Sequence, residues 1–160
     1  MGDSPEANLL GLRGQFALPE SGMTRDEARA RFAAASVARL ATAGADGRPH
    51  LVPVVFAVDG DRIYSAVDAK PKRTTSLRRL ANVRENPAVA LLVDHYDDDW
   101  SALWWVRADG HGRVLDPDAG SDAAEAQRAV ALLRERYPQQ RAVGAVLAVD
   151  VAHWSGWSAR

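Results

Sequence analysis

The sequence predicts a mainly β domain: an antiparallel barrel of six strands with three helices on its periphery (α+β). Three observations lead there. Six segments have the length and apolar content of strands, and turn formers such as Gly44 to Pro49 and Asp59-Gly60-Asp61 join several of them. The helical stretches do not alternate with the strands, which excludes a doubly wound parallel sheet. The chain has 160 residues, 47% hydrophobic and 26% charged, enough for one ordinary core.

Composition narrows the function classes. A net charge of −1 and a pI near 6.4 argue against nucleic acid as a partner. Without cysteine there is no disulfide, no thiolate metal site and no thiol nucleophile. No apolar run reaches the length of a membrane span, and the N-terminus lacks the basic start and apolar core of a secretory signal. A cytoplasmic protein without a membrane partner is the expectation.

Residues 1–22 read as a flexible extension punctuated by Gly2, Pro5, Gly11, Gly14, Pro19 and Gly22, and residues 23–160 as a single domain. Met23 is a candidate native start. Thr24 and Glu27 have capping-box spacing and open a helix that buries Ala28, Phe32 and Ala35. Val37 to Thr42 is the first expected strand. His50 to Val58 is the second, and Pro53 within it requires an open side or a bulge. Arg62 to Val67 is the third strand and Thr74 to Val83 the second helix. Ala88 to Asp94, an unbroken apolar run, predicts a strand buried on both faces. Ala102 to Val114 carries Trp104 and Trp105, which alternation sends to opposite faces, so the outward one needs a partner subunit, a tail or a planar ligand as cover. Asp122 and Glu125 start the third helix, with Ala126, Val130 and Leu133 on its buried face. Ala145 to Ala152 is the last strand and His153 to Trp157 a tail.

The stretch with chemical character is Lys70-Pro71-Lys72-Arg73-Thr74-Thr75. It holds both lysines of the chain, and no acidic residue occurs from Ala69 to Arg84. It lies between a strand and the start of a helix, where unpaired N–H groups and the helix dipole favour an anion. Two ammoniums, a guanidinium and two hydroxyls there suit a phosphate. Elsewhere the signals are negative. No glycine-rich nucleotide loop or nucleophile elbow occurs, the four histidines lack metal-ligand spacing, and Asp97 to Asp99 lack a calcium-loop pattern, so no metal is expected. No catalytic residue is assigned. If the protein is an enzyme, a bound cofactor carries the chemistry.

These residues carry a resemblance that spans nearly the whole chain after Met23. Ala38-Arg39-Leu40-Ala41-Thr42 with Gly47-Arg48-Pro49-His50-Leu51-Val52-Pro53-Val54 resembles the hairpin of the pyridoxamine 5'-phosphate oxidase-like (PNPOx-like, FMN-binding) split β-barrel superfamily. Asp68-Ala69-Lys70-Pro71-Lys72-Arg73-Thr74-Thr75 and Trp104-Trp105-Val106-Arg107 are similar to its deazaflavin branch, which uses coenzyme F420. The resemblance implies a homodimer with its cofactor in a groove between two barrels. Lys70, Lys72, Arg73, Thr74 and Thr75 would hold the phosphate. The strand Val52-Pro53-Val54 would lie along the ring, and Trp105 or Trp157 would close the pocket. It implies an oxidoreductase that passes a hydride from reduced F420 to an electron-poor small molecule. The alternatives within the same fold are FMN or haem as ligand, or a cofactor carrier without turnover.

Overall fold

The structure, a computed structural model, describes residues 22–68, 75–140 and 143–159. The expected capping box forms. The Thr24 side chain accepts from the Glu27 N–H, and the Glu27 carboxylate accepts from the Thr24 N–H at 2.8 Å, opening α1 (Arg25–Ala34). The strands are β1 (Ala38–Ala43), β2 (Pro49–Val54), β3 (Ala57–Asp59), β4 (Arg62–Asp68), β5 (Ala88–His95), β6 (Trp104–Leu115) and β7 (Val143–Ser158). The longer helices after α1 are α2 (Thr75–Glu85) and α3 (Ala123–Arg136), with a short 3₁₀ turn at Trp100–Ala102.

All strand pairs are antiparallel, in the order β2-β1-β5-β6-β7-β4-β3. The sheet therefore has seven strands rather than six. The two edge strands, β2 and β3, are separated in sequence only by Val55 and Phe56. The three Cα–Cα steps from Val54 to Ala57 reach at most about 11 Å, so the sheet must curl until its edges nearly meet, and that seam splits the barrel. The single strand expected over His50 to Val58 is cut there because the chain leaves one edge and joins the other. β2 being an edge also answers Pro53, which needs no ladder partner on its open side.

The seam is held by polar as well as apolar contacts. Phe56 is fully buried and packs on Phe32 at 4.9 Å between ring centroids. The Tyr137 hydroxyl accepts from the Phe56 N–H at 3.5 Å and lies within donor distance of the carbonyls of Phe56 (3.1 Å) and Ser36 (2.9 Å). The Arg136 guanidinium sits 4.9 Å over the Phe56 ring and donates to the Ala35 carbonyl. The end of α3 thus satisfies backbone groups that the broken ladder leaves open.

Two cores lie on opposite faces of the sheet. One face carries Leu40, Leu91, Val93, Val106, Ala108, Val149 and Trp154 against Phe32 of α1 and Leu80 and Val83 of α2. Helix α2 comes close enough that a Cβ on Gly112 would sit 2.9 Å from the Val83 side chain. Asn82 of α2 donates to the Thr42 hydroxyl at 3.0 Å, with both residues buried. Among the described residues the other face is covered only over β3, β4, β7 and the end of β6, where α3 lays Ala126, Ala129, Val130 and Leu133 on Tyr64, Ala66, Val146 and Ala148.

Two expectations need correction. His153 to Trp157 is not a tail but the end of β7, with Trp157 paired to Trp105 and Trp154 to Ala108. The β6–β7 register slips between Asp109 and Gly110, whose partners are His153 and Val151. Ala152 is the extra residue of this bulge. It shifts the alternation by one, so Trp154 shares a face with Val151 and Val149, a phase change that hides the strand in the sequence. Helix α3 starts where expected, at Ala123 with Asp122 as its N-cap residue, though without a side-chain cap bond. Glu125 turns inward instead, accepting from Arg113 at 3.0 and 3.1 Å and from the Tyr64 hydroxyl at 3.0 Å. Finally, β5 is buried on one face only, with Ala88 and Leu92 exposed on the other.

Arg113 also donates to Asp150 at 2.6 Å, and Arg62 reaches both carboxylates. Hydrogen bonds from Arg113 hold the Glu125 and Asp150 carboxyls below the usual carboxylate range, while burial pushes the Tyr64 phenol up.

Two outcomes test this frame. Tyr137→Phe is expected to cost about 1–3 kcal/mol, the penalty for stranding buried backbone groups, read as a shift in urea unfolding midpoint without a change in slope. Arg113→Met is expected to cost about 1–2 kcal/mol at neutral pH, discounted because the Asp150 side chain is 42% exposed. Because both carboxyls are depressed on folding, their contribution is full above the unfolded carboxylate range and is lost as pH falls through their folded values. Wild-type stability should therefore decline below about pH 4, and in Arg113→Met that decline should shrink in urea titrations run from neutral to acid pH.

Candidate functional site

The face of β2, β1, β5 and β6 that α3 does not reach is the open surface of the sheet. Register and alternation place its side chains in cross-strand rows. Pro53, Arg39, Leu92, Arg107 and Ser155 form one row, and Leu51, Ala41, Ala90, Asp109 and His153 form the next. Asp94, Trp105 and Trp157 form a third. On a water-facing surface polar residues would normally fill such positions. Here Leu51 is 67% exposed and Leu92 37%.

These rows bound a groove of about 640 Å³, lined by Ala41, Leu51, Ala90 and Leu92 on its floor and by Arg39, Asp94, Tyr96, Trp105 and Arg107. That volume lies within the roughly 300–1,000 Å³ of small-molecule sites. Small side chains on β1 and β5 keep the floor flat. Arg39 donates to Asp94 at 2.7 Å and Arg107 to Asp109 at 2.8 Å. Two polar atoms near this face, the Ser155 hydroxyl and the Trp157 ring N–H, are buried without a hydrogen-bond partner. Buried polar groups are rarely left so.

The residues singled out from sequence are distributed as follows. Trp105 lines the groove and is half-buried, and Trp157 is its cross-strand neighbour, which in turn bridges to Gly22. Pro53 lies on the same face at the edge. Val52 and Val54 point the other way, Val54 buried in the core and Val52 packed against it, so only their backbone faces the edge. Lys70, Lys72, Arg73 and Thr74 lie outside the described residues. Thr75 is the first residue of α2. Trp104, on the inward face, lies between Arg31, 5.3 Å from its ring, and the stacked His95 at 6.3 Å.

Sequence reasoning did not assign Arg39, Ala41, Leu51, Ala90, Leu92, Asp94, Tyr96 or Arg107 to a site. The available signal was β5, where an unbroken apolar run ends in an ionisable residue, and the Arg of the Trp-Trp-Val-Arg segment two positions after Trp105. Asp97 and Asp99 are occupied with turn chemistry, accepting from the N–H groups of Asp99 and Ser101. Among the described residues no group of three or more His, Asp or Glu is placed to hold a metal, and no helix is long and apolar enough to cross a membrane.

A family model described as pyridoxamine 5'-phosphate oxidase matches residues 24–158, all seven strands included. The chain belongs to this family. It is an oxidoreductase family, and its barrel is the one described above. A curated relative, the 5a,11a-dehydrotetracycline/5a,11a-dehydrooxytetracycline reductase of Streptomyces rimosus, is 41% identical over 56 residues, 35% of this chain and 38% of the relative's length. The match thus spans well under half of that protein. Among solved structures, a FAD-binding protein from Mesorhizobium loti superposes with a TM-score of 0.63 at 22% identity, covering 84% of this chain and 93% of the other. A conserved hypothetical protein from Mycobacterium tuberculosis gives 0.66 at 20% identity, covering 86% of each chain. These structures share the fold.

Proposed function

We propose that the protein is an F420 (deazaflavin)-dependent reductase, working as a homodimer whose grooves lie between the two barrels. The observation that carries this reading is the flat apolar floor of Leu51, Ala41, Ala90 and Leu92 on a sheet face that none of the described helices covers, with Trp105 at its margin. A tricyclic ring system needs such a floor. The unpartnered Trp157 N–H and Ser155 hydroxyl on this side suit a ligand or a second subunit that brings polar atoms. The named reductase among the relatives supports reduction as the reaction, and the FAD-binding structure supports a flavin-like ring as the ligand of this fold.

In this reading Ala41, Ala90 and Leu51 hold the ring face, and the open edge of β2 at Pro53, with Val52 and Val54 contributing backbone, meets the ring edge. Lys70, Lys72, Arg73, Thr74 and Thr75 hold the phosphate, between the end of β4 and the first turn of α2. Lysines suit this task because their flexible point charges wrap a phosphate where a guanidinium fork would impose one geometry. Bound F420 supplies a hydride to an electron-poor acceptor. The chain's part is to align the two and exclude water. FMN in the same groove is the second reading, favoured by the FAD-binding relative.

Titration of the purified protein with F420 and with FMN, followed by tryptophan fluorescence, decides between them. F420 is expected to bind saturably and more tightly than FMN, and the reverse order overturns the assignment. Lys72→Ala should weaken F420 binding by about 1.5–3 kcal/mol, the worth of a hydrogen bond to a charged group, with an unchanged melting temperature. Ala90→Phe fills the floor from the open face. It should lower F420 affinity at least about tenfold, whereas Ala108→Phe on the buried face should cost roughly 1–3 kcal/mol of stability by overpacking.

A further inference from the structure

The groove has a charge pattern that a flat apolar floor does not require. Arg39 and Arg107 stand in one cross-strand row with Leu92 between them. Each lies one strand away from Leu92, so the two are about 10 Å apart at the backbone. Both line the groove, and both are half-exposed, with side chains 49% and 50% accessible.

Each guanidinium is tethered by a single hydrogen bond. Arg39 uses Nη1 on Asp94, and Arg107 uses Nε on Asp109. A guanidinium carries five N–H donors, so most of each remains unused. In Arg107 the bond through Nε leaves both terminal nitrogens free, and these form the planar fork that matches a carboxylate or a delocalised oxyanion. Asp109 holds the fork in place without occupying it. Asp94 offsets Arg39 and Asp109 offsets Arg107, so the row is balanced in charge and its recognition rests on the unused donors of the Arg107 fork. The floor between the two cations is the hydrophobic side chain of Leu92, with Trp105 one residue pair away on β6.

We infer that the acceptor reduced at this site is a planar conjugated acid, a ring system carrying a carboxylate or an ionised enol, with its oxyanion on Arg107 and its ring over Leu92 beside Trp105. Arg39 closes the other side. This names the substrate class of the site and rests on the proposed reductase reading, but its binding test does not. The recognition is double. The apolar floor disfavours compact hydrophilic anions, and the fork favours an oxyanion over a neutral ring.

The test uses 1-hydroxy-2-naphthoate as the acid probe and its methyl ester as the neutral isostere, titrated calorimetrically into the full chain. The acid is expected to bind roughly tenfold or more tightly than the ester, the size of one charge-assisted hydrogen bond. In Arg107→Gln that preference should fall to about parity, and in Arg39→Gln it should weaken. Arg107→Lys keeps the charge and loses the fork, so it should retain only part of the preference. This variant also serves if the Gln variant does not fold. Equal binding of acid and ester, binding of neither, or an Arg107→Gln effect on F420 without one on the acid overturns the inference. Acid selectivity without F420 binding would overturn the cofactor assignment and leave the acid site standing.

Discussion

The architecture depends on one geometric constraint: the two edges of the sheet are joined by Val55 and Phe56 alone. A flat sheet of this strand order would put those edges far apart, since neighbouring strands are about 4.8 Å from each other. The sheet has to roll, and rolling gives it an inside that Leu40, Leu91, Val106 and Phe56 fill. The seam leaves backbone groups without ladder partners. Tyr137, at the end of α3, meets the Phe56 N–H and carbonyl there, while Arg136 stacks on the Phe56 ring and donates to Ala35 after α1. Tyr137 is the residue where the helix ends, so helix termination and barrel closure are one event.

The outside of the rolled sheet is divided between a covered and a bare half. Helix α3 covers the half built from β3, β4 and β7, where Ala148 and Ala66 allow its close approach, and the Arg113, Glu125 and Asp150 network pins it there. Along β6 the same face runs from Arg113 through Asp109 and Arg107 to Trp105. One strand therefore serves two purposes. Near its end it anchors a helix, and near its start it lines a groove. The bare half keeps Leu51, Leu92 and Trp105 at the surface, which is costly in water.

Much of this was legible in the sequence. The capping box at Thr24, the turn at Asp59-Gly60-Asp61 and the buried face of α3 follow from local chemistry, and local chemistry is what a sequence displays. The opposite placement of Trp104 and Trp105 needed only the period of two. The end of β7 was not legible, because the bulge at Ala152 shifts the pattern by one residue and makes a continuous strand look like a strand and a tail. The seam was not legible either, since Val55 and Phe56 are as apolar as the strands they join. Glu125 reads as a helix-start residue until Arg113, twelve positions earlier in the chain, is brought beside it.

By itself the sequence determined the class of fold, the helix starts, which residues share a face in the strands without a bulge, and the concentration of basic residues before α2. All of these depend on neighbours within a few positions. Tertiary structure alone decided which face is bare. Arg39, Leu92 and Arg107 come from three strands and form one row only through register. Apolar side chains have the same composition whether they meet a helix, a ligand or water. Only the placement of α3 decides that this face of β1 and β5 is left without a helix.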